Sequence, residues 1–281
     1  MQQHPITLIN SEDLRAWRQR FHESRIGFVP TMGALHEGHG SLIERIHEKC
    51  ELVIVSIFVN PLQFGPQEDF ERYPRTFKAD LDLLAHYKVN AVYVPNVAAM
   101  YGQYFQTQVV NNRMSKSLCG ISRPGHFDGV LTVVLKLLNL VKPHVVAFGK
   151  KDYQQWRLIA QMAKDLDLDV EVMGCETKRE SDGLAMSSRN RYLTSEERAY
   201  AVKISEGLFA ARNKFLKGEK SKSQLVGIAK EIVSQAPIVL EYLEICDQEM
   251  LVPMADKLDT PAVMLIAGKI GQTRLIDNIE L

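Results

Sequence analysis

The sequence has no surplus of either charge. Lys and Arg together number 34, and Asp and Glu also number 34, a net of zero. Such a chain lacks the basic field that broad nucleic-acid or membrane-surface binding draws on. Cysteine is scarce: Cys50, Cys119, Cys175 and Cys246, with no C-x-x-C pair. That argues against a disulfide frame or a zinc site and fits buried thiols in a reducing compartment. No apolar stretch runs uninterrupted for the length of a membrane span. The richest, "GVLTVVLKLLNLVKPHVVAFG", contains Lys136, Lys142 and Pro143. The opening "MQQHPITLINSEDL" lacks the apolar core of a secretory signal. The expectation is a cytoplasmic chain with no membrane and no nucleic acid among its partners. Three nucleotide and hydrolase signatures are also missing: G-x-x-x-x-G-K-[ST], a G-x-G-x-x-G after a strand, and G-x-S-x-G. There is no internal repeat and no low-complexity segment.

What is present is an ordinary globular composition. The 281 residues are 46% apolar and 24% charged, enough for one large or two modest domains. Strand-like apolar runs recur at 26–29, 52–59, 91–94, 107–110, 144–149 and 170–174. Helical spacing falls between them at 41–49, 76–87, 129–141 and 153–166. This alternation, with strands apolar on both faces, predicts an α/β fold. A Rossmann-like parallel sheet with helices on both faces is expected over residues 1–177. Beyond 177 the pattern changes. Thr194 and Glu197 form a capping box that opens a helix running to Gly218, and a second helix covers about 221–235. Three strand candidates follow, "IVLEYLEIC", "AVMLIAGKI" and "TRLIDNIEL". They predict a smaller C-terminal α+β domain over 178–281.

Ligands of open parallel sheets bind beyond the carboxyl ends of the strands, so the strand ends carry the search. The first is followed by Thr31-Met32-Gly33-Ala34-Leu35-His36-Glu37-Gly38-His39. His36 and His39 would stand at a helix N-terminus, where backbone N–H groups and the helix dipole favour an anion. The plain alternative is a capped turn with two surface histidines; the H-x-G-H spacing at a strand–helix junction favours phosphate contact. Asn60 and Gln63 follow the second run. Neutral amides suit a hydroxyl and a carboxylate, although Asn60-Pro61 also makes an ordinary turn. Gly149, Lys150, Lys151 and Asp152 follow the run 144–149. Lys151 is placed to neutralise a phosphate, and Asp152 to hold a ribose, a metal or the helix N-terminus. A solvated lysine pair and an N-cap aspartate are the plain alternatives. Last comes "DGLAMSSRNRYL", 182–193, whose hydroxyls and guanidinium make a phosphate clamp, or else a serine-rich turn. No metal site is expected from protein ligands alone.

These residues together resemble the nucleotidyltransferase superfamily, in which His-x-Gly-His and a Ser/Lys-rich loop clamp ATP. "RMSKS", 113–117, is nearly the loop signature of class I aminoacyl-tRNA synthetases, but it stands too early in the chain. We treat it as a decoy and "MSSRN", 186–190, as the positional counterpart. The stretches "PTMGALHEGH", "FVNPLQFG", "LCGISRPGHFDGVLTVVLKLLNLVKPHVVAFGKKDYQQ" and "DGLAMSSRNRYL" are similar, in order, to the pantothenate synthetase family, the pantoate–β-alanine ligases. The resemblance covers most of 26–193. It implies ATP-dependent joining of pantoate to β-alanine through a pantoyl-adenylate, release of AMP and pyrophosphate, Mg²⁺, and a homodimer. It places Met32, Gly33, Ala34, Leu35, His36, Glu37, Gly38 and His39 at ATP, with His39 as proton donor. It places Gln63 and Gln155 on pantoate, with Asn60 near that pocket. Gly149, Lys150, Lys151 and Asp152 would line the nucleotide site, Lys151 at phosphate and Asp152 near the ribose. Lys178 would meet the adenine side through its backbone. Met186, Ser187, Ser188 and Arg189 would close over the triphosphate. The family usually has an acid where Lys150 stands, and often one where His144 stands. Two other readings remain: a different adenylate-forming nucleotidyltransferase, and a non-catalytic nucleotide-binding regulator.

Overall fold

The structure, a computed structural model, describes residues 4–66 and 68–281. Six strands, β1 (Ile6–Leu8), β2 (Ile26–Thr31), β3 (Leu52–Ile57), β4 (Ala91–Tyr93), β5 (Val145–Gly149) and β6 (Glu171–Cys175), form one parallel sheet. Its order is β1-β4-β3-β2-β5-β6. The chain therefore winds outward from β2 in one direction and resumes at β5 in the other. The crevice between β2 and β5 is the strand-order switch at which such sheets bind ligands.

The connections are helices: α1 (Ser11–Arg20), α2 (Glu37–His47), α3 (Phe77–His86), the short α4 (Val97–Met100) and α5 (Cys119–Ser122), α6 (His126–Val141) and α7 (Tyr153–Asp165). Alternate residues of the strands serve opposite faces. Val29, Val53, Val55, Val92, Val145 and Ala147 form one buried cluster with Leu42, Ile43 and Ile46 of α2 and Leu84 of α3. Ile26, Phe28, Ile54 and Val146 alternate to the other face and are also fully buried. On that side α6 packs against β2 and α1. Fully burying a side chain of this size contributes roughly 1.5–3 kcal/mol, so the two-faced apolar strands drive the layering.

The second unit is built differently. Helices α8 (Ser195–Leu216) and α9 (Lys222–Val233) pack on each other, and an antiparallel sheet runs β7 (Val239–Asp247), β8 (Ala262–Ile270), β9 (Thr273–Glu280). Leu184, Ile204, Leu208, Leu225, Val233, Ile245, Met264 and Ile266 are among its core residues. Thr194 and Glu197 make the reciprocal capping bonds that open α8. The chain divides into Met1–Gly149 with Leu158–Glu176, and Lys150–Arg157 with Thr177–Leu281.

One predicted strand is absent. Residues 107–110 are irregular and mostly exposed. The Val109 N–H is taken by the Thr132 hydroxyl at 2.9 Å instead of by a neighbouring strand. Alternating side chains alone do not make a strand where the backbone finds another partner. The parallel sheet gains β1 instead, an edge strand of three residues too short to register as a pattern.

Candidate functional site

The turn after β2 is set by sequence at three points. Gly33 has φ +80 and Ala34 φ +51, so the chain reverses through the left-handed region. Thr31 Oγ1 donates to the Ser56 carbonyl at 2.7 Å and accepts from Gly33 N at 3.2 Å. The buried Asp80 of α3 then accepts from Ala34 N at 3.1 Å and Leu35 N at 2.9 Å, and from the Thr76 hydroxyl at 3.0 Å. One carboxylate thus satisfies two backbone donors of a strained turn, which offsets much of the cost of both its burial and the strain.

This delivers His36 to the N-cap of α2. Its Nδ1 accepts from Gly38 N at 3.1 Å, and His39 Nδ1 accepts from His36 N at 3.3 Å. The two rings lie 4.2 Å apart, tilted by 51°. Because both Nδ1 atoms accept from backbone, the neutral rings carry their proton on Nε2. Each histidine therefore presents an Nε2–H donor at the positive end of a helix, the arrangement an anion requires.

The second strand end is a relay of amides. Asn60 caps a 3-10 turn, Pro61–Gln63, by accepting from Leu62 N at 3.2 Å. Tyr101 donates its hydroxyl to the same Asn60 oxygen at 2.7 Å, and burial holds that phenol well above its ordinary pKa, so it remains a donor. The Asn60 amide nitrogen then donates to the Gly129 carbonyl and to Gln63 Oε1, both at 3.1 Å. Gln63 Oε1 is thereby fixed as acceptor, which leaves Nε2 as the donor; it donates to the Met32 sulfur at 2.9 Å. A donor amide beside the histidine turn suits a carboxylate or hydroxyl. The turn expected at Asn60-Pro61 is present, with Asn60 as its cap.

In the other unit, Lys150–Asp152 form a 3-10 turn continuous with α7, and Gln155 lies in the first turn of that helix, half-buried. Neither lysine is a solvated member of a pair, contrary to the plain sequence reading. Lys150 Nζ sits 3.1 Å from both Glu280 oxygens and 5.7 Å from the Trp156 ring, and Lys151 Nζ sits 3.5 Å from Asp152. Their side chains are 17% and 18% exposed. Asn278 donates to both the Lys150 and Lys151 carbonyls, at 2.8 and 2.9 Å. Strand β9 therefore holds the backbone of the lysine turn, and Glu280 neutralises Lys150.

Lys178 and Met186 are joined, the Met186 N–H donating to the Lys178 carbonyl at 3.0 Å across a small hairpin turned at Gly183, φ +93. Arg179 anchors that hairpin through two bonds to Asp277, at 2.6 and 2.9 Å. Ser187 caps the following 3-10 turn, Ser188–Tyr192, accepting from Arg189 N at 3.3 Å. The stretch 113–117 is also a compact turn, with Met114 and Ser115 buried and the Ser115 hydroxyl returned to the Asn111 carbonyl. Asp80, Tyr101, Asn278 and Glu280 escaped sequence reasoning, since each lies 40 or more positions from the residue it holds and none belongs to a motif.

A doubly wound parallel sheet with a histidine-capped helix beyond its switch-point strand places the chain among α/β proteins that bind nucleotides. The family model for Pantoate-beta-alanine ligase matches residues 7–280, and the chain belongs to that family. The pantothenate synthetase of Thermotoga petrophila is 47% identical over 273 residues, 96% of this chain and 97% of that protein. The crystal structure of pantothenate synthetase from Thermus thermophilus superposes with a TM-score of 0.93 at 41% identity, over 98% of each chain. The pantoate-beta-alanine ligase of Francisella tularensis, crystallised as a complex with beta-gamma ATP and beta-alanine, gives 0.80 at 35% identity over 98% of this chain and 97% of that one. Among the described residues, no helix is long and apolar enough to cross a membrane.

Proposed function

We propose that this chain joins pantoate to β-alanine at the expense of ATP, as a cytoplasmic homodimer. What carries the reading is a family match spanning residues 7–280, which takes in all four polar strand-end groups. A pantoate carboxylate oxygen attacks the α-phosphorus of ATP, and pyrophosphate leaves. The β-alanine amine then attacks the acyl carbon of the pantoyl-adenylate, and AMP leaves with that oxygen. No covalent bond to the protein is required.

The chain's part is to let two anions meet. His36 and His39 donate Nε2–H bonds to phosphate, His39 also serving as proton donor to the leaving group. Lys151 and Arg189 add fixed positive charge, and Ser187 and Ser188 add hydroxyl donors, which is electrostatic stabilisation of developing charge. Met32 through Leu35, Glu37, Gly38 and Gly149 line the nucleotide, Asp152 meets its ribose, and Lys178 its adenine. Gln63 and Gln155 hold pantoate through amides, with Asn60 behind them. Closure of Met186–Arg189 keeps water from the mixed anhydride. Among the described residues no group of three or more His, Cys, Asp or Glu stands ready to cage an ion. A Mg²⁺ bound with the nucleotide would supply further charge screening beside His36, His39, Lys151 and Arg189.

The test is isotopic. Pantoate labelled with ¹⁸O in its carboxylate, incubated with ATP, β-alanine and enzyme, is expected to give pantothenate and AMP carrying one label. Unlabelled AMP, or ADP with phosphate as products, would refute the adenylate route.

A further inference from the structure

The run "RPGHF", 123–127, lies within the stretches that carry the family likeness, yet none of the roles above uses it. Its geometry is specific. His126 is the first residue of α6, and its Nδ1 lies 2.7 Å from the backbone carbonyl oxygen of Gln63. A carbonyl only accepts, so Nδ1 carries the proton. The opposite ring nitrogen, Nε2, lies 2.9 Å from Nη1 of Arg123. A guanidinium only donates, so Nε2 presents its lone pair. The two neighbours therefore agree on one state: neutral, with the proton on Nδ1. Arg123 also reaches the Gln63 carbonyl through Nη2 at 3.3 Å, and both Glu68 oxygens hold it, at 2.7 and 2.5 Å. Its side chain is 13% exposed and that of Glu68 25%.

Gln63 needs such a grip. It ends a three-residue 3-10 turn, and turns of that length have weak internal bonds. Its own N–H reaches the Asn60 carbonyl only at 3.4 Å. Asn60 fixes which way the side-chain amide faces; the imidazole and guanidinium fix where its backbone stands.

We infer that His126, held in its Nδ1–H form by the Gln63 carbonyl on one side and Arg123 on the other, is a positioning residue for pantoate: it holds the Gln63 carbonyl so that the Gln63 amide meets the substrate. This rests on the proposed reaction and on Gln63 as a pantoate contact. Removing the imidazole frees one hydrogen bond and loosens the turn without touching the nucleotide groups. A mispositioned binding amide weakens substrate and transition state alike, so KM moves and kcat does not.

Steady-state kinetics on the full chain, with ATP, pantoate and β-alanine, supply the test. His126→Ala is expected to raise the KM for pantoate by about 5- to 10-fold, the size of one lost hydrogen bond, with kcat and the KM for ATP within about 2-fold. In His126→Asn the amide nitrogen stands where Nδ1 stood, and the pantoate KM is expected within about 2-fold of wild type. In His126→Gln the amide reaches the Nε2 position instead and does not restore it. ¹⁵N NMR of the wild-type ring should show the Nδ1–H form, and Arg123→Ala, which leaves the Gln63 carbonyl at Nδ1 in place, should keep it. An unchanged pantoate KM in His126→Ala, or equal behaviour of the Asn and Gln variants, overturns the inference while the reaction stands. So does an Nε2–H ring in wild type. A wild-type chain that forms no pantothenate overturns both.

Discussion

Two helix glycines should respond to the same substitution with opposite sign. In α6, a Cβ added to Gly129 would stand deep inside van der Waals contact with the Leu62 carbonyl and 2.8 Å from the Gln63 amide nitrogen. Both are backbone atoms of the 3-10 turn and cannot rotate aside. Overpacking of this kind costs roughly 1–3 kcal/mol. The clash lies at the severe end of that range, so about 3 kcal/mol applies. Alanine returns about 1 kcal/mol of helix propensity, leaving about 2 kcal/mol net. In α9, a Cβ at Gly227 meets nothing within 4 Å, so only the propensity gain remains. Gly129→Ala should therefore lower the melting temperature by about 4–8 °C, whereas Gly227→Ala should raise it by about 2–4 °C. Thermal unfolding followed by circular dichroism, with each variant scanned at the same rate, reads both. Because the Gly129 carbonyl also accepts from Asn60, the first variant should bind pantoate more weakly as well. A Gly129→Ala protein as stable as wild type would show that the turn is not pressed against α6, and the account of how Gln63 is placed would fail with it.

Three further expectations concern chemistry and charge. His39→Ala and Lys151→Ala should each lower turnover by on the order of 10²-fold or more with circular dichroism unchanged; near-wild-type rates in both would remove them from the reaction. Lys116→Ala, in the decoy turn, should matter far less than Ser187→Ala or Arg189→Ala, and steady-state kinetics giving the reverse order would mean that the wrong loop was chosen. Glu68 is pushed up by burial, but the Arg123 hydrogen bonds and charge outweigh this and hold its pKa below the ordinary 4.5. A carboxylate depressed in the folded state stabilises it fully above the unfolded value, and that stability is lost as pH falls through the folded one. The stability difference between wild type and Glu68→Gln should thus be constant from neutral pH to about 5 and shrink below 4.5. A difference independent of pH would contradict it.

The parts of the fold visible in the sequence are those whose cause is local. Runs such as 52–57 are apolar on both faces because both faces are covered, and the Thr194–Glu197 box announces its helix within four residues. The histidine turn was visible for the same reason: strand, glycine, H-x-G-H and helix are consecutive. What stayed hidden is held by partners far along the chain. Nothing in "KKD" says that Asn278 will bind its carbonyls, and nothing around Asp80 says that it will receive two N–H groups from Ala34 and Leu35. Residues 107–110 misled because a strand needs a neighbour as well as a pattern, and Thr132 took the Val109 N–H first.

The amide of Asn278 has a consequence for biosynthesis. Some 127 residues separate the Lys151 carbonyl from its donor. During translation the ribosome must pass position 278 before the lysine turn acquires its anchor, however early the parallel sheet has formed. The final geometry of that turn is a late event, settled by one of the last strands to emerge.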